Sequence, residues 1–339
     1  MPDTWLPYLL AGVIVIALNA YVLFAGADFG GGVWDLFASG PRKRDQRDLV
    51  AGVLGPIWEA NHVWLILIVV ILFTCFPPVF TRMSVALHIP LTLMLVGIVL
   101  RGSAFTFRTY DSQADDVQRR WGAIFAVASL VTPLVQGMSA GAVIAGDLPV
   151  RPEGTFRSAY VDPWLHPFPI AVGVMTTLLF AFLAAVYLTV EARTAALQED
   201  FRQRALGTGL LLFPVSATVL WLSQEAAPNI WRGLLGSGFA VPVQATAAIC
   251  ATGALAALVS RRYGLARFFA AGQASVLVWG WAIAQYPYAM PPDLALATSA
   301  APVVTMRLVV YALGAGAIVL FPSLWYLFRV FKDSRPAHD

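Results

Sequence analysis

Long apolar stretches alternate with short polar linkers along almost the whole chain. Each stretch is close to the ~20 residues that an α-helix needs to cross the hydrocarbon core of a bilayer. None shows the period of two of a half-buried strand, and helices satisfy their own backbone groups inside lipid. The pattern predicts an all-α, polytopic integral membrane protein of about nine transmembrane helices. They lie over residues 7–27, 57–76, 83–107, 121–145, 167–190, 206–223, 242–259, 268–286 and 303–328.

The composition agrees with a membrane protein and excludes several other classes. Of the 339 residues, 59% are apolar and 12% are charged, and the mean hydropathy is +0.72. A soluble globule carries about 25% charged residues, and a disordered chain has low hydrophobicity, so both classes are excluded. The formal net charge of +3 comes without a long basic run, so no nucleic-acid partner is expected.

The basic residues of the linkers predict the orientation. Sixteen of them lie in the odd-numbered linkers and the C-terminal tail, four lie in the even-numbered linkers, and Arg101 and Arg307 lie inside helices. Linkers rich in Lys and Arg stay in the cytoplasm. We therefore expect the N-terminus outside and the C-terminus in the cytoplasm. The start, Met1–Trp5, lacks the basic region of a signal peptide, so the first stretch is expected to remain as a helix.

The linkers are too short to hold a soluble domain, since the longest covers only residues 146–166. We therefore expect a single membrane domain over residues 1–339. An arrangement in two helix quartets, 1–145 and 167–286, followed by a last helix at 303–328, stays open. No clear sequence repeat marks such a division.

Ionisable side chains inside the predicted helices are the candidate functional residues, because each is costly in lipid unless it is paired or hydrated. Four of them share the cytoplasmic third of the membrane. Asp28 lies at the inner end of the first helix, and Arg101 lies roughly 9 Å from the inner end of the third. Glu59 and His62 lie three residues apart on one face of the second helix.

Two interpretations of this cluster stay open, and they are compatible. Acidic and basic groups beside the cytoplasm are what a proton-uptake route needs. The same residues also suit buried structural ion pairs, in which Arg101 neutralises Glu59 or Asp28.

A glycine-rich run, Gly26 to Asp35, is predicted to break the first helix at the cytoplasmic surface. Adjacent glycines allow sharp backbone turns and close approach of helices. The run lacks the Lys-Ser/Thr end and the preceding strand of a phosphate-binding P-loop, so that alternative has little support.

The histidines give little support for a metal or haem site in this chain. His62 and His88 are predicted about 8 Å from opposite faces of a ~30 Å hydrocarbon core, too far apart to ligate one haem. His88 and His166 both lie towards the outside, and nothing around them argues for a shared ligand. A di-iron carboxylate bundle needs two Glu-x-x-His units, and only Glu59–His62 is present. No cofactor is expected in this chain.

Three segments in the first third of the chain resemble subunit II of cytochrome bd-type quinol oxidases. The second is the most specific, with the string Gly-Pro-x-Trp-acid-x-Asn-x-Val-Trp-Leu. The segments are ADFGGGVWDL at residues 27–36, GPIWEANHVWLI at residues 55–66 and LRGSAFTFR at residues 100–108.

The resemblance implies a membrane complex of two main subunits with similar nine-helix folds. In that family, subunit I carries b-type and d-type haems, and the complex oxidises quinol and reduces O2 to water with protons from the cytoplasm. Subunit II is expected to be haem-free, to stabilise the complex, and to contribute to proton entry and O2 access. Some members hold a structural quinone. A small accessory subunit and membrane lipid are further implied partners.

The resemblance also assigns residues. The family's acid in the Trp-acid turn corresponds to Glu59, the acid before the glycines to Asp28, and the arginine near the end of the third helix to Arg101. Members usually carry Asp-Gly-x-Asp where this chain has Ala25-Gly-Ala-Asp28, so the first acid is missing. This difference puts in doubt any proton route through that position.

Two other functions stay open at this level. A secondary transporter tends to place its coupling charges near the bilayer midplane, whereas the charges here are predicted near one face. A b-haem-binding redox subunit acting by itself would use one of the histidines, His88 being the first to test.

Overall fold

The structure is a computed structural model that describes residues 4–54, 58–110, 115–149 and 154–333. Helices dominate the fold, and one two-stranded hairpin completes it. In chain order the elements are α1 (Leu6–Leu36), α2 (Lys43–Leu54), α3 (Trp58–Cys75), α4 (Pro77–Ala86), α5 (His88–Tyr110), α6 (Asp115–Ala145), α7 (Phe156–Tyr160), α8 (Pro167–Glu191), α9 (Ala195–Ala226), α10 (Pro228–Gly236), α11 (Ala240–Val259), α12 (Tyr263–Gln285), β1 (Tyr288–Met290), β2 (Leu294–Ala295) and α13 (Val303–Asp333).

A helix covers each apolar stretch that the sequence predicts as membrane-spanning. Within the described residues, six helices are each long and apolar enough to cross a membrane, namely α1, α5, α6, α8, α9 and α11. The pair α3 and α4 is a further candidate, with a bend of 115° between its halves. The all-α, polytopic membrane class is confirmed, whereas the number of crossings and the orientation stay predictions.

The bend between α3 and α4 moves one predicted boundary. The sequence predicts the third helix over residues 83–107, but α5 begins at His88 and residues 83–86 belong to α4. Pro77 and Pro78 explain the difference, because proline disrupts a helix interior yet fits the first turn of a new helix. The helix α3 therefore ends at Cys75, and a short helix begins in a new direction.

The predicted break of the first helix at its glycine run is wrong, because α1 continues through the run to Leu36. A Cβ atom on Gly30 would overlap the backbone carbonyl oxygen of Phe180 in α8. A Cβ atom on Gly32 would overlap the hydroxyl of Ser129 in α6. The glycines therefore allow close helix packing, and the neighbouring helices hold this part of the chain in the helical conformation.

The helix α8 lies at the centre of the bundle. Every residue from Leu179 to Val186 is buried, which is typical of a helix surrounded by other helices on all sides. It packs against α1, α6 and α9. It therefore contacts helices of both proposed quartets, whose division stays a prediction.

A short hairpin lies between α12 and α13, where β1 and β2 pair in antiparallel fashion. Asp293, in the turn of this hairpin, accepts two hydrogen bonds from Arg82 of α4, at 2.6 and 2.8 Å. The guanidinium holds the pKa of the Asp293 carboxyl below its usual range. This ion pair connects the hairpin to the bent α3–α4 segment.

Candidate functional site

Two of the four predicted site residues form a buried ion pair between α1 and α5. Asp28 is 1% exposed and Arg101 is 3% exposed. The Nη1 of Arg101 donates to Oδ2 of Asp28 at 2.7 Å, and Nη2 donates to Oδ1 at 2.5 Å. Nη2 also lies 3.1 Å from the Asp28 backbone carbonyl oxygen. This is the two-point geometry in which a guanidinium binds a carboxylate most strongly.

Besides α1 and α5, the helix α6 also contacts the ion pair. Its Ser129 hydroxyl accepts a hydrogen bond from Nε of Arg101 at 3.0 Å and donates to the Phe125 carbonyl at 2.7 Å. The Arg101 guanidinium carbon also lies 4.9 Å from the ring centre of Phe29 and 5.0 Å from that of Phe125. The aromatic faces stabilise the Arg101 cation, and the carboxylate of Asp28 is neutralised by the guanidinium. Each buried charge therefore has a favourable partner in place of water.

The other two predicted residues are at the start of α3, which packs against α1. His62 is partly buried there. The side chain of Glu59 lies outside the part of the chain that the structure describes, and its pairing with Arg101 or His62 stays a prediction. The structure thus joins Asp28 to Arg101 and leaves the place of the Glu59 carboxylate open.

Unpaired polar groups extend the site into the helix bundle. Asn61 is 2% exposed, and among the described residues neither its amide nitrogen nor its oxygen has a hydrogen-bond partner. The same holds for Thr132 Oγ1, Gln136 Oε1 and Asn19 Oδ1. Buried groups of this kind are normally satisfied by ordered water.

The sequence analysis did not point to the polar face of α6. Ser129, Thr132 and Gln136 are spaced three and four residues apart, which puts them on one face of the helix. That spacing is the signal that could have found them. Their hydroxyls alone are too common in membrane helices to attract notice.

The histidines do not assemble a metal centre in the described parts of the chain, where no group of three or more His, Cys, Asp and Glu side chains could hold a metal ion. The Nδ1 of His88 lies 3.0 Å from the Val85 carbonyl oxygen, and its ring packs edge-on against Tyr160. His166 is the N-cap residue of α8. That the chain binds no haem stays a prediction.

Comparison with known families extends over nearly the whole chain. The model of the family "Cytochrome bd terminal oxidase subunit II" matches residues 6–331. The chain belongs to this family. The resemblance carried by the three segments of the first third is thereby confirmed, and the family assignment favours an oxidase subunit over a secondary transporter.

Relatives named as bd oxidase subunits support the assignment. The chain is 28% identical over 179 residues to the cytochrome bd ubiquinol oxidase subunit 2 of Bacillus subtilis, covering 52% of this chain and 49% of that one. It is 28% identical over 188 residues to the cytochrome bd-I ubiquinol oxidase subunit 2 of Escherichia coli K12, covering 53% and 47%. The matches thus span about half the length of these relatives.

The fold agrees with a solved structure. A chain of the bd oxidase from Geobacillus thermodenitrificans superimposes with a TM-score of 0.78 at 21% identity, covering 97% of this chain and 99% of that chain. At this level of identity the match establishes the fold. Together with the apolar helices, membership of the subunit II family places the chain in the bacterial inner membrane as a multi-pass protein.

Proposed function

We propose that this chain is the haem-free subunit of a bd-type oxidase that oxidises quinol and reduces O2 to water. In this proposal a partner, subunit I, carries the b-type and d-type haems. This chain stabilises that partner and contributes to proton uptake from the cytoplasm and to O2 access. The observation that carries the proposal is the buried Asp28–Arg101 pair beside unpaired polar groups, in a member of the subunit II family.

The pair itself is proposed to orient water without releasing a proton. Each charge is matched by the other, and the Arg101 guanidinium is fixed by Ser129 and by two aromatic rings. Such an arrangement is a strong, immobile dipole in a region of low dielectric constant. It favours water molecules in one orientation next to it.

The exchangeable protons are proposed to belong to Glu59 and His62. These residues lie one helical turn apart at the start of α3, on the side predicted to face the cytoplasm. A histidine changes its charge in the physiological pH range, and a carboxyl group is a common partner in proton transfer. From there, water held by Asn61 and by the polar face of α6 would continue the route past the ion pair.

Replacing Glu59 tests the route. Glu59→Gln is expected to lower O2 consumption of the assembled oxidase at least about tenfold, because removing a proton-transfer group typically costs more than that. The measurement is quinol-dependent O2 uptake by the purified complex. The control is Glu225→Gln, which makes the same change at an exposed position in the last turn of α9. It is expected to leave turnover unchanged. Normal turnover in Glu59→Gln would make Glu59 a structural residue.

Co-purification tests the proposed partner. When the chain is expressed with a tag in its own host, we expect a larger haem-bearing membrane subunit to accompany it and to bring the absorption bands of b-type and d-type haems. The chain expressed alone is expected to be colourless and to be degraded faster. A stable, active and colourless single chain would contradict the proposal. A haem Soret band from the isolated chain that disappears in His88→Ala would support the alternative of a b-haem subunit.

A further inference from the structure

A polar cavity of about 370 Å³ lies where the loop after α1 meets the beginning of α9. Its wall includes the side chains of Arg42, Gln46, Asp200 and Arg204, and Ser39 and Gln203 lie at its exposed rim. Both segments belong to linkers that the distribution of basic residues predicts on the cytoplasmic side. The cavity therefore lies at the predicted inner membrane surface, and neither Asp28 nor Arg101 is among the residues that line it.

One acid and one base of the cavity neutralise each other. Arg42 donates to both carboxylate oxygens of Asp200, with Nε 2.8 Å from Oδ2 and Nη2 2.5 Å from Oδ1. Gln46 Nε2 adds a third hydrogen bond to Oδ2 at 2.9 Å. The negative charge of Asp200 is thereby matched by Arg42, and its oxygens are occupied.

Arg204 supplies a second positive charge that no carboxylate binds directly in the described part of the chain. Its Nη2 donates to the Gln46 side-chain oxygen at 2.7 Å and to the Phe37 carbonyl at 3.3 Å, both neutral acceptors. Its Nη1 is buried and has no hydrogen-bond partner among the described residues. The guanidinium carbon lies 5.3 Å from the ring centre of Trp34 and 5.1 Å from that of Phe201. The two rings hold the Arg204 guanidinium at the cavity wall. Because Asp200 balances only the charge of Arg42, the charge of Arg204 leaves the cavity with a net positive charge.

We propose that this cavity binds a phosphate group, either of an anionic phospholipid headgroup in the inner leaflet or of free phosphate. A guanidinium group attracts a phosphate by its charge and donates hydrogen bonds to phosphate oxygens. Basic pockets between helices on the cytoplasmic side of a membrane suit anionic headgroups. The apolar side chains of Leu36 and Phe37 are exposed where α1 ends and the loop begins, next to the cavity. Their position gives the acyl chains of a lipid an apolar contact that free phosphate cannot use.

Lipid retention by the full chain, purified with its co-purifying subunits in a neutral detergent, tests the proposal. The probe is a mixed membrane of phosphatidylcholine and phosphatidylglycerol, and mass spectrometry measures which lipid stays bound. Arg204→Gln is expected to retain about tenfold less phosphatidylglycerol, since a charge-assisted hydrogen bond contributes about this factor. Arg193→Gln removes the same charge at an exposed position of the linker that also carries Arg204, and is expected to change nothing.

Two further measurements keep the test decisive. Ser39→Asp adds a negative charge at the exposed rim but keeps the Ser39 backbone N–H, which shares the Gln46 side-chain oxygen with Arg204, and is expected to weaken retention several-fold. Inorganic phosphate identifies the source of the ligand: a rise in thermal stability with phosphate but no lipid enrichment means free phosphate, and enrichment means lipid. Wild-type retention and wild-type response to phosphate in both Arg204→Gln and Ser39→Asp would overturn the proposal.

Discussion

Replacing Asp28 with leucine is expected to lower the free energy of unfolding by about 3–5 kcal/mol, because Arg101 then keeps a buried charge without its counter-ion. The two hydrogen bonds from Arg101 to the Asp28 carboxylate are lost together, and the guanidinium keeps those to the backbone carbonyl of residue 28 and to Ser129. The measurements are the recovery of folded complex from detergent extracts and the midpoint of thermal aggregation.

An exposed ion pair provides the matched control. Asp162 binds Arg157 at 3.1 Å, but both side chains are in contact with solvent. Asp162→Leu removes the same kind of partner and is expected to cost less than about 1 kcal/mol. Equal losses for the two variants would show that burial of the Asp28–Arg101 pair has no energetic consequence.

A charge-free double variant separates structure from function at this pair. Asp28→Leu combined with Arg101→Met removes both charges and is expected to recover most of the stability lost in the single variant, as apolar replacements of buried pairs often do. If the pair orients water for proton uptake, the recovered complex is expected to turn over more slowly. A stable double variant with normal O2 consumption would leave the pair with a structural role alone.

Gly30→Ala is expected to lower the stability of the protein, although it adds only one methyl group to α1. The new Cβ would overlap the backbone carbonyl of Phe180 and come within 2.7 Å of the Ala184 Cβ. Backbone atoms of the buried segment of α8 cannot move away as a side-chain tip could. Overpacking of this kind typically costs about 1–3 kcal/mol.

Gly12→Ala in the same helix is the control for Gly30→Ala. Among the described residues, no atom apart from the adjacent residues and the nearby helix backbone lies within 4 Å of the Cβ position of Gly12. Alanine there is expected to be neutral, or stabilising by up to about 1 kcal/mol through its higher helix propensity. Thermal stability and yield of the two variants are compared in the same detergent. Tolerance of alanine at position 30 would mean that α1 and α8 are not packed as closely as their contact indicates.

Much of the architecture could be predicted because the bilayer restricts it. Long apolar stretches have few alternatives to a helix in lipid, so the positions of the membrane helices follow from hydrophobicity. One local exception came from packing that no local pattern reports. The run at Gly30 was expected to break α1 because glycine is flexible, but contact with Phe180 keeps it helical.

In the candidate site, too, the sequence indicates which residues matter, whereas helix packing decides which of them meet. The cost of charge in lipid identified Asp28 and Arg101, and the depth of each along its helix placed them at one level. Their joint hydrogen bonds to each other, and the part that Ser129 plays, depended on how α5 and α6 meet α1. The uncompensated charge of Arg204 was hidden as well, since it depends on Asp200 being occupied by Arg42.

By itself, the amino-acid sequence determined the class of protein, the helix positions, the family resemblance and the short set of costly charged residues. These follow from the transfer of side chains and backbone into lipid, which depends on each segment separately. Only the tertiary structure decided that α1 stays unbroken, that Asp28 pairs with Arg101, and that a positively charged cavity forms between the loop after α1 and α9. Those features are contacts between segments far apart in the chain, and their energies exist only once the helices have packed.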